Sequence, residues 1–403
     1  MGPVVIVGAG VAGATAAGAL RDRGFDGPVV LIGQETLSPY ERPPLSKEYL
    51  RGESDHQLVR DPDWYADNDV DLRLGVRAER LVAADRVVEL DDGTRVAFEQ
   101  CVIATGARNR RFDWPGLDLP GVFDLRFAPD ADAIRAAASS GSKAVLVGMG
   151  FIGAEVAASL RQLGLEVTVV EFFGTPLERV LGSELGSAIA ALHRDHGVEM
   201  VFHDAAERFE GDGRFEAVVT QNGRRIEGDL AVVGVGVEPV TDVATGDLGV
   251  DNGILVDASL RTSVEGVWAI GDVARHDHPV FGLVRVEHFD KALKMGDHVA
   301  KNLLGANEIF DDPHWFWSDQ YDTRIEMSGF ATEWDRTVIR GGLEERSFAA
   351  FLLKDGRLVS TFTMNWKRDA RRSMPLIAAG ATPDPARLAD PDVDLRTLRP
   401  SRG

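Results

Sequence analysis

The apolar pattern of the chain is dominated by two segments of the same design. In the first, the four β-branched residues at positions 4–7 predict a buried parallel strand. Three glycines follow, at Gly8, Gly10 and Gly13, and an Ala- and Leu-rich run after them predicts a helix that ends at Gly24. The pattern therefore predicts a strand that enters a helix through a glycine-rich turn.

A glycine turn of this spacing can bind a dinucleotide. Gly8 permits the tight turn, Gly10 lets a pyrophosphate approach the backbone, and Gly13 lets helix and strand pack closely. The phosphates would lie at the N–H groups and positive dipole end of the helix. A second strand at 29–32 ends near Glu35, whose carboxylate can accept hydrogen bonds from ribose hydroxyls.

The second segment, residues 144–171, repeats this order at an offset of 140. Its glycines are Gly148, Gly150 and Gly153, and its second strand ends at Glu171. Two such units predict two dinucleotides, a resident flavin and a nicotinamide that exchanges. Glu171 at the strand end favours the free ribose of NADH over the 2′-phosphate of NADPH.

The segments that follow the first unit contain further candidates. Prolines stiffen residues 37–50, and we expect Arg42 and Lys47 there to point towards the nucleotide, with Ser46 capping a following helix. A buried strand ends at Ala104, Thr105 and Gly106, small residues that can pass close to a cofactor.

The second half of the chain also contains candidate site residues. Glu155 lies in the helix after Gly153, either stabilising the helix dipole or lying beside the nicotinamide ring. Asp272 follows a buried strand and is a candidate ligand for cofactor hydroxyls, and Phe289 precedes a predicted amphipathic helix. From position 313 the composition shifts to aromatic residues and strand patterns, then to a helix at 368–380 and a polar tail of about twenty residues.

Composition and charge narrow the class of protein. The formal net charge of −20 disfavours nucleic acid and anionic membranes as partners. No apolar run is long enough for a membrane span and no signal peptide is visible, which favours a cytoplasmic location. Cys101 is the only cysteine, which excludes an intramolecular disulfide and a CxxC pair. We expect Cys101 to be buried and inert, and no metal site is predicted.

Several motifs together resemble the FAD-dependent ferredoxin reductases of oxygenase systems, the family of putidaredoxin reductase and the reductases of aromatic-ring dioxygenases. The resemblance covers nearly the whole chain. It is carried by GAGVAGATAA, PYERPPLSK, ATGAR, GMGFIGAEVAA, GVGVEP, AIGDVA, RVEHFDKA and FWSDQYD, of which RPPLSK and WSDQY are the most specific. One departure is Phe289, which stands where family members often have Trp.

The resemblance implies a set of site residues. Lys47 would lie at the flavin, paired with Glu155 near its reactive edge, and these two are the predicted catalytic residues. The residues expected to bind FAD non-covalently are Gly8, Gly10, Gly13, Glu35, Arg42, Lys47, Ala104, Thr105, Gly106, Arg126, Asp272, Glu287, Phe289, Trp317 and Gln320. The residues expected to bind NADH are Gly148, Gly150, Gly153, Glu155, Glu171, Arg179 and Gly236.

The predicted fold class is α/β, with two Rossmann-type dinucleotide-binding domains arranged as in glutathione reductase and a C-terminal α+β domain. The expected boundaries are 1–110 and 240–312 for a split FAD domain, 111–239 for the NADH domain and 313–403 for the C-terminal domain. The expected activity is transfer of electrons from NADH through FAD to an iron–sulfur ferredoxin that serves an oxygenase, by a monomer or homodimer.

Two alternatives stay open at the level of sequence. An oxygen- or quinone-reducing flavoenzyme would use the same fold, whereas disulfide or peroxide chemistry would need a reactive thiol at the flavin. The other alternative is a redox-sensing flavoprotein that signals through partner binding. The sequence does not name the electron acceptor, and relatives often meet acidic ferredoxins through basic patches. In this acidic chain only the cluster of Arg368, Arg371 and Arg372 indicates such a patch.

Overall fold

A computed structural model of the chain describes residues 2–246, 248–366 and 368–398. The first thirteen strands are β1 Val4–Val7, β2 Val29–Gly33, β3 Val70–Leu74, β4 Ala78–Val82, β5 Val87–Leu90, β6 Arg95–Ala97, β7 Gln100–Ile103, β8 Ala107–Asn109, β9 Val122–Asp124, β10 Lys143–Val147, β11 Glu166–Val170, β12 Val198–Val201 and β13 Ala206–Glu210. The others are β14 Ala217–Thr220, β15 Arg225–Glu227, β16 Leu230–Val233, β17 Val237–Pro239, β18 Ile254–Val256, β19 Val267–Ala269, β20 Ala274–His278, β21 Gly282–Val284, β22 Trp315–Gln320, β23 Thr323–Gly329, β24 Arg336–Gly342, β25 Ser347–Lys354 and β26 Arg357–Met364.

The helices are fewer and include both glycine-turn helices. They are α1 Val11–Asp22, α2 Pro62–Asp67, α3 Ala128–Ser140, α4 Phe151–Gln162, α5 Glu178–Asp195, α6 Phe289–Leu303, α7 Asp369–Ala378 and α8 Pro385–Ala389, with short 3₁₀ helices at Pro43–Ser46, Ala83–Asp85, Gly271–Val273 and Leu395–Leu398. Within the described ranges, no helix is long and apolar enough to cross a membrane.

Two five-stranded parallel sheets have the same layout. The first has the order β19-β7-β1-β2-β3 and the second has the order β12-β11-β10-β16-β9. In each sheet the strand before the glycine turn is central, as the doubly wound fold requires, because crossover helices must cover both faces of a parallel sheet. The predicted pair of Rossmann-type sheets is confirmed.

The C-terminal part is an antiparallel sheet with helices on it. Its order is β22-β23-β26-β25-β24, and α7 packs on β23 and β26. A tight turn at Asp355 and Gly356 joins β25 to β26, as their sequence predicts. The predicted α+β character of this region is confirmed.

The chain forms two compact units. The first comprises Met1–Glu41, His56–Arg108 and Glu238–His314, and the second comprises Arg42–Asp55, Asn109–Val237 and Trp315–Gly403. The core of the first unit contains the β1 sheet together with α1 and α6, and Gly296 lets these two helices touch, since a Cβ there would lie 2.5 Å from the carbonyl oxygen of Ala12. The three-domain division from the sequence stays a prediction.

The described residues of the second unit include two separate apolar clusters. One lies at the second parallel sheet around Val145, Val147 and Phe215. The other joins one face of α5 to the antiparallel sheet, with Leu185 and Ile189 packed among the buried residues of β23, β25 and β26. The face of α5 that carries Leu185 and Ile189 is therefore a core face.

Two expectations from the sequence are wrong. Ser46 does not cap a helix: it ends the 3₁₀ helix Pro43–Ser46, and the next residue, Lys47, has φ −127° and ψ −118°, which is not helical. The C-terminal segment is also not a plain polar tail. Arg340, only 3% exposed, donates to the carbonyl of Leu388 at 2.7 Å and to that of Val393 at 3.2 Å, so this segment satisfies a buried cation.

A cluster of buried histidines lies in the first unit. His276, His278 and His314 are at most 1% exposed, and the ring centroids are 5.3 Å apart for the first pair and 5.0 Å for His278 and His314. Burial lowers the pKa of His276 to about 3 and lowers the pKa values of the other two, and the buried ammonium of Lys291 acts in the same direction. These rings are therefore neutral at pH 7.

We expect the protein to lose stability steeply as the pH falls below about 6.5. The unfolded state binds protons on these histidines near their ordinary pKa of about 6.5, whereas the folded state does not, so the stabilisation is complete above that value and lost below it. His276, whose pKa is lowered to about 3, should contribute a loss of about 2 kcal/mol between pH 7 and pH 5, and the other two rings should add to it. Urea unfolding at a fixed excess of FAD measures this slope. His276→Phe should remove the contribution of that ring, about 2 kcal/mol of the loss, and an unchanged slope in that variant would contradict the assignment.

Candidate cofactor sites

The first glycine turn has the geometry of a phosphate-binding turn. Gly8 has φ +116°, and a Cβ on it would lie 2.2 Å from the carbonyl oxygen of Ala104. A Cβ on Gly13 would lie 2.0 Å from the carbonyl oxygen of Gly8, whereas one on Gly10 would meet nothing within 4 Å. The first and third glycines are thus required by packing, and the second leaves an open cradle at the start of α1.

The second glycine turn has nearly the same backbone. Gly150 has φ −73° and ψ −173°, against −75° and −175° at Gly10, and each residue precedes the first residue of its helix without a side-chain cap. A Cβ on Gly148 would lie 2.5 Å from the carbonyl oxygen of Gly234 and one on Gly153 would lie 2.3 Å from that of Gly148, but Gly150 is open. Uncapped N–H groups beside an open cradle fit a pyrophosphate.

The two strand-end carboxylates differ in their hydrogen bonds. Glu35 accepts a hydrogen bond from the Tyr40 hydroxyl at 2.6 Å. Glu171 is 7% exposed and accepts backbone N–H groups from Met149 at 2.6 Å and from Phe173 at 2.9 Å. Glu171 therefore braces the glycine turn, and its two oxygens keep lone pairs for further donors.

The other predicted residues of the first unit lie near strand ends or at the start of a helix. Thr105 donates through its hydroxyl to the carbonyl of Val240 at 2.6 Å, and Gly106 has φ +72°. Asp272 lies half-buried in the 3₁₀ helix that follows β19. Glu287 is exposed and accepts from the Arg285 guanidinium at 2.5 Å, and Phe289 is the first residue of α6.

Lys47 and Glu155 form a buried ion pair in the second unit. Their relative exposures are 7% and 5%, and Lys47 Nζ lies 2.7 Å from Glu155 Oε2. Ser46 Oγ donates to the same oxygen at 2.5 Å, and Ser318 Oγ donates to Glu155 Oε1 at 2.6 Å. The carboxylate therefore receives three side-chain donors, which offset the cost of burying its charge. Its role as a mere stabiliser of the helix dipole is not supported, since it lies beyond the first turn of α4.

Two predicted FAD-binding residues, Trp317 and Gln320, lie on β22. Trp317 stacks on Trp315 with ring centroids 5.3 Å apart. The Arg324 guanidinium lies 5.5 Å from the ring centroid of Trp317. Gln320 is fully buried: its Oε1 lies 2.9 Å from His193 Nε2, and its amide nitrogen donates to Ser318 Oγ at 3.2 Å.

The remaining predicted residues of the second unit are spread over loops and helix starts. The Arg42 guanidinium lies 5.0 Å from the ring centroid of Phe127, and the backbone N–H of Arg126 donates to Asp130 at 2.9 Å. The Arg179 guanidinium lies 5.9 Å from the ring centroid of Phe173. Gly236 has φ +101°, and a Cβ on it would meet nothing within 4 Å.

Three polar residues around the ion pair were not predicted as site residues. Ser46 and Ser318 contact Glu155 directly, and His193 on α5 contacts Gln320. Ser318 falls within the WSDQY motif, which is a signal that could have been used. His193 has no sequence signal, because a histidine one turn after Ile189 on an amphipathic helix gives no indication of its partners.

Cys101 is confirmed as buried. It is fully buried in β7, and burial raises the pKa of its thiol, so it is protonated and unreactive at neutral pH.

These features define a class of protein. Two parallel sheets with open glycine cradles are typical of an oxidoreductase that binds two dinucleotides, and a chain with a single cysteine cannot form a redox disulfide within itself. The family model described as pyridine nucleotide-disulphide oxidoreductase matches residues 2–296, and that described as Reductase C-terminal matches residues 315–399. The chain belongs to the pyridine nucleotide-disulphide oxidoreductase family.

Relatives with known names extend over the whole chain. Rhodocoxin reductase of Rhodococcus erythropolis is 38% identical over 399 residues, which cover 98% of this chain and 93% of the relative. The ferredoxin–NAD(+) reductase component of the anthranilate 1,2-dioxygenase system of Burkholderia cepacia is 40% identical over 402 residues, covering 98% and 99%. The crystal structure of the covalent putidaredoxin reductase–putidaredoxin complex contains a chain with a TM-score of 0.95 and 32% identity, covering 98% of this chain and 97% of its own.

These matches confirm the resemblance to ferredoxin reductases and the predicted fold class. They also confirm the prediction of an oxidoreductase that uses FAD and NADH.

Proposed function

We propose that this protein takes electrons from NADH through FAD and delivers them to an iron–sulfur ferredoxin that serves an oxygenase. The observation that carries the proposal is the pair of open glycine cradles in a chain with one buried, unreactive thiol. Without a redox-active cysteine pair, electrons that enter on one dinucleotide must leave through an external acceptor. Relatives named as ferredoxin reductase components support a ferredoxin in that role.

We assign the FAD-binding residues by the chemistry that each offers. Gly10 and the start of α1 would hold the pyrophosphate, Glu35 the adenosine ribose and Asp272 the hydroxyls of the ribityl chain. Bound FAD supplies the ability to accept a hydride and to release electrons singly. Lys47 would place its ammonium at the flavin, and Glu155 would hold that ammonium in position. The other predicted FAD-binding residues keep the roles inferred from the resemblance.

We assign NADH to the second glycine turn. Gly150 and the start of α4 would hold its pyrophosphate, and Glu171 would accept hydrogen bonds from its ribose hydroxyls. Arg179 and Gly236 would lie along the same nucleotide. Because hydride transfer needs no general acid in the protein, orientation by these residues is their main contribution.

Glu171→Gln is expected to weaken the preference for NADH over NADPH. The amide oxygen can still accept one backbone N–H, so the glycine turn stays braced, but the charge that repels a 2′-phosphate is gone. We expect the wild type to prefer NADH by at least about tenfold in kcat/KM, since charge-assisted hydrogen bonds are each worth roughly 1.5–3 kcal/mol. The ratio of kcat/KM for the two nucleotides measures this. A wild type that uses both equally would contradict the assignment.

A groove of about 870 Å³ in the C-terminal part offers a docking surface for the ferredoxin. It is lined by Arg324, Glu326, Thr363, Asn365, Trp366, Arg368, Arg371, Arg372, Pro375 and Arg396, and we call it the arginine groove. Arg371 lies 3.9 Å from the ring centroid of Trp315, which holds its guanidinium in place. Five arginines in one groove of a chain with net charge −20 favour an acidic partner.

The proposed function is tested by ferredoxin reduction with NADH. The double variant Arg371→Gln/Arg372→Gln should raise the KM for an acidic ferredoxin at low salt by about tenfold or more, because two charges of the encounter surface are lost. Reduction of the flavin by NADH should not change. The matched control is Arg224→Gln/Arg225→Gln, two exposed arginines on and beside β15.

Two outcomes are informative. A flavin reduced by NADH but reoxidised by quinone or oxygen as fast as by ferredoxin would favour the oxidase alternative. Equal effects of the two double variants would remove the arginine groove as the docking surface. We further propose the cytoplasm as the location, where NADH is available to the enzyme.

A further inference from the structure

A chain of buried polar side chains leads from α5 to the ion pair of Lys47 and Glu155. The Tyr321 hydroxyl lies 3.2 Å from His193 Nδ1, and His193 Nε2 lies 2.9 Å from Gln320 Oε1. Gln320 donates to Ser318 Oγ at 3.2 Å, and Ser318 donates to Glu155 at 2.6 Å. Such a row of hydrogen bonds is unusual because its three central members are fully buried, and so each bond is costly to lose.

The donors in this row point in one direction. Because Gln320 offers its carbonyl oxygen to the ring, His193 must carry its proton on Nε2, and its Nδ1 then accepts from Tyr321. Ser318 accepts from the Gln320 amide nitrogen, which leaves its own hydrogen for Glu155. Every hydrogen therefore points towards the carboxylate, and bonds aligned in this way strengthen one another.

The residues of this row are uncharged, except for the carboxylate of Glu155 at its end. Burial lowers the pKa of His193 to about 4, against the opposing effect of its hydrogen bond to Gln320, so the ring is neutral at the pH at which NADH is stable. Burial also raises the pKa of Tyr321. The ring of Tyr321 stacks on His196 with centroids 3.6 Å apart, which fixes the outer end of the row.

We infer that His193 is a positioning residue for hydride transfer, and that it acts through Gln320 and Ser318 to hold Glu155 and so the ammonium of Lys47. The inference rests on the proposed function, in which Lys47 lies at the flavin. Without the ring N–H, the Gln320 amide can turn over and present its oxygen to Ser318. Ser318 would then donate to Gln320, and Glu155 would lose one of its three side-chain donors.

The experiment compares variants of the holoenzyme by stopped-flow reduction with NADH. His193→Phe keeps a buried ring without nitrogens, and we expect the limiting rate of flavin reduction to fall about tenfold, a barrier increase of about 1.4 kcal/mol. The Kd of NADH should stay within about twofold, because the row touches no predicted NADH-binding residue other than Glu155. His193→Gln places an amide N–H where Nε2 was, and it should restore the rate to within about threefold of wild type. Ser318→Ala should reproduce the effect of His193→Phe.

The matched control is Ile189→Val, one turn earlier on the same helix and equally buried. It loosens the packing of α5 without touching the row, and the rate should not change. A second readout is the visible circular dichroism of bound, oxidised FAD, which should change in His193→Phe and Ser318→Ala but not in the control.

The outcomes separate a positioning role from a packing role. If His193→Phe keeps its FAD, its rate within about twofold and its dichroism spectrum, the inference is overturned. An equal loss in Ile189→Val also overturns it. If His193→Phe does not fold, the comparison of His193→Gln with Ser318→Ala decides in the same way. A wild type that binds FAD but is not reduced by NADH would overturn the proposed function, and the dichroism spectra would still test the row.

Discussion

Replacing Gly150 with valine is expected to abolish reduction by NADH in a protein that keeps its fold and its FAD. Gly150 has an extended backbone that valine can adopt, and a Cβ there meets nothing within 4 Å. The added side chain would instead fill the cradle for the pyrophosphate. Loss of two charge-assisted hydrogen bonds would raise the Kd of NADH by about a hundredfold or more. Stopped-flow reduction measures the Kd of NADH, and the flavin absorbance of the purified protein shows whether FAD is retained.

The neighbouring glycines supply the controls for this prediction. Gly10→Val should have the mirrored effect, a folded protein that no longer retains FAD. Gly153→Ala should instead destabilise the fold, because its Cβ would lie 2.3 Å from the carbonyl oxygen of Gly148. If Gly150→Val reduces its flavin with NADH at the wild-type Kd, NADH does not bind at this turn.

Removing either partner of the Lys47–Glu155 pair is expected to cost about 3–5 kcal/mol of unfolding free energy, because each single change leaves a buried charge uncompensated. We expect the double variant Lys47→Met/Glu155→Gln to recover most of this loss. It should not recover the rate of flavin reduction, because the proposed role of Lys47 needs its charge. Urea unfolding at a fixed excess of FAD gives the stability, and stopped-flow reduction gives the rate.

An exposed ion pair serves as the reference for the single and double variants of Lys47 and Glu155. Lys301 and Asp297 lie 3.5 Å apart on α6, one turn from each other, and Lys301→Met should cost less than about 1 kcal/mol. A double variant that recovers both stability and rate would show that the pair is only structural. Single variants no costlier than the reference would show that the pair is not buried in solution.

The local parts of both candidate cofactor sites could be predicted from the sequence. Each glycine turn spans six residues, and its conformation depends on the absence of side chains at positions that are close along the chain. Gly8 needs a positive φ, Gly13 needs a close approach to the preceding turn, and Gly10 stays open, all of which the spacing of three glycines specifies. The strands before them and the helices after them follow from the apolar pattern, which is also local.

Predictions that depended on distant partners fared worse. Ser46 was expected to cap a helix because serine often does so, but its hydroxyl is taken by Glu155, 109 residues away. The C-terminal segment looked like a polar tail, but Leu388 and Val393 in it offer backbone carbonyls to the buried guanidinium of Arg340, and carbonyls leave no mark on a sequence.

The sequence alone thus determined the backbone of the two glycine turns at which we propose that the dinucleotides bind, since a phosphate is held by backbone N–H groups whose geometry neighbouring residues set. Only the tertiary structure decided what surrounds Glu155. Its donors Lys47 and Ser318 are 108 and 163 residues away in the chain. His193 is connected to it through Gln320, and His193 and Gln320 are 127 residues apart. Burial makes these polar groups depend on one another, because each must find a partner once water is excluded. Which groups meet is decided by how α4, α5 and β22 pack.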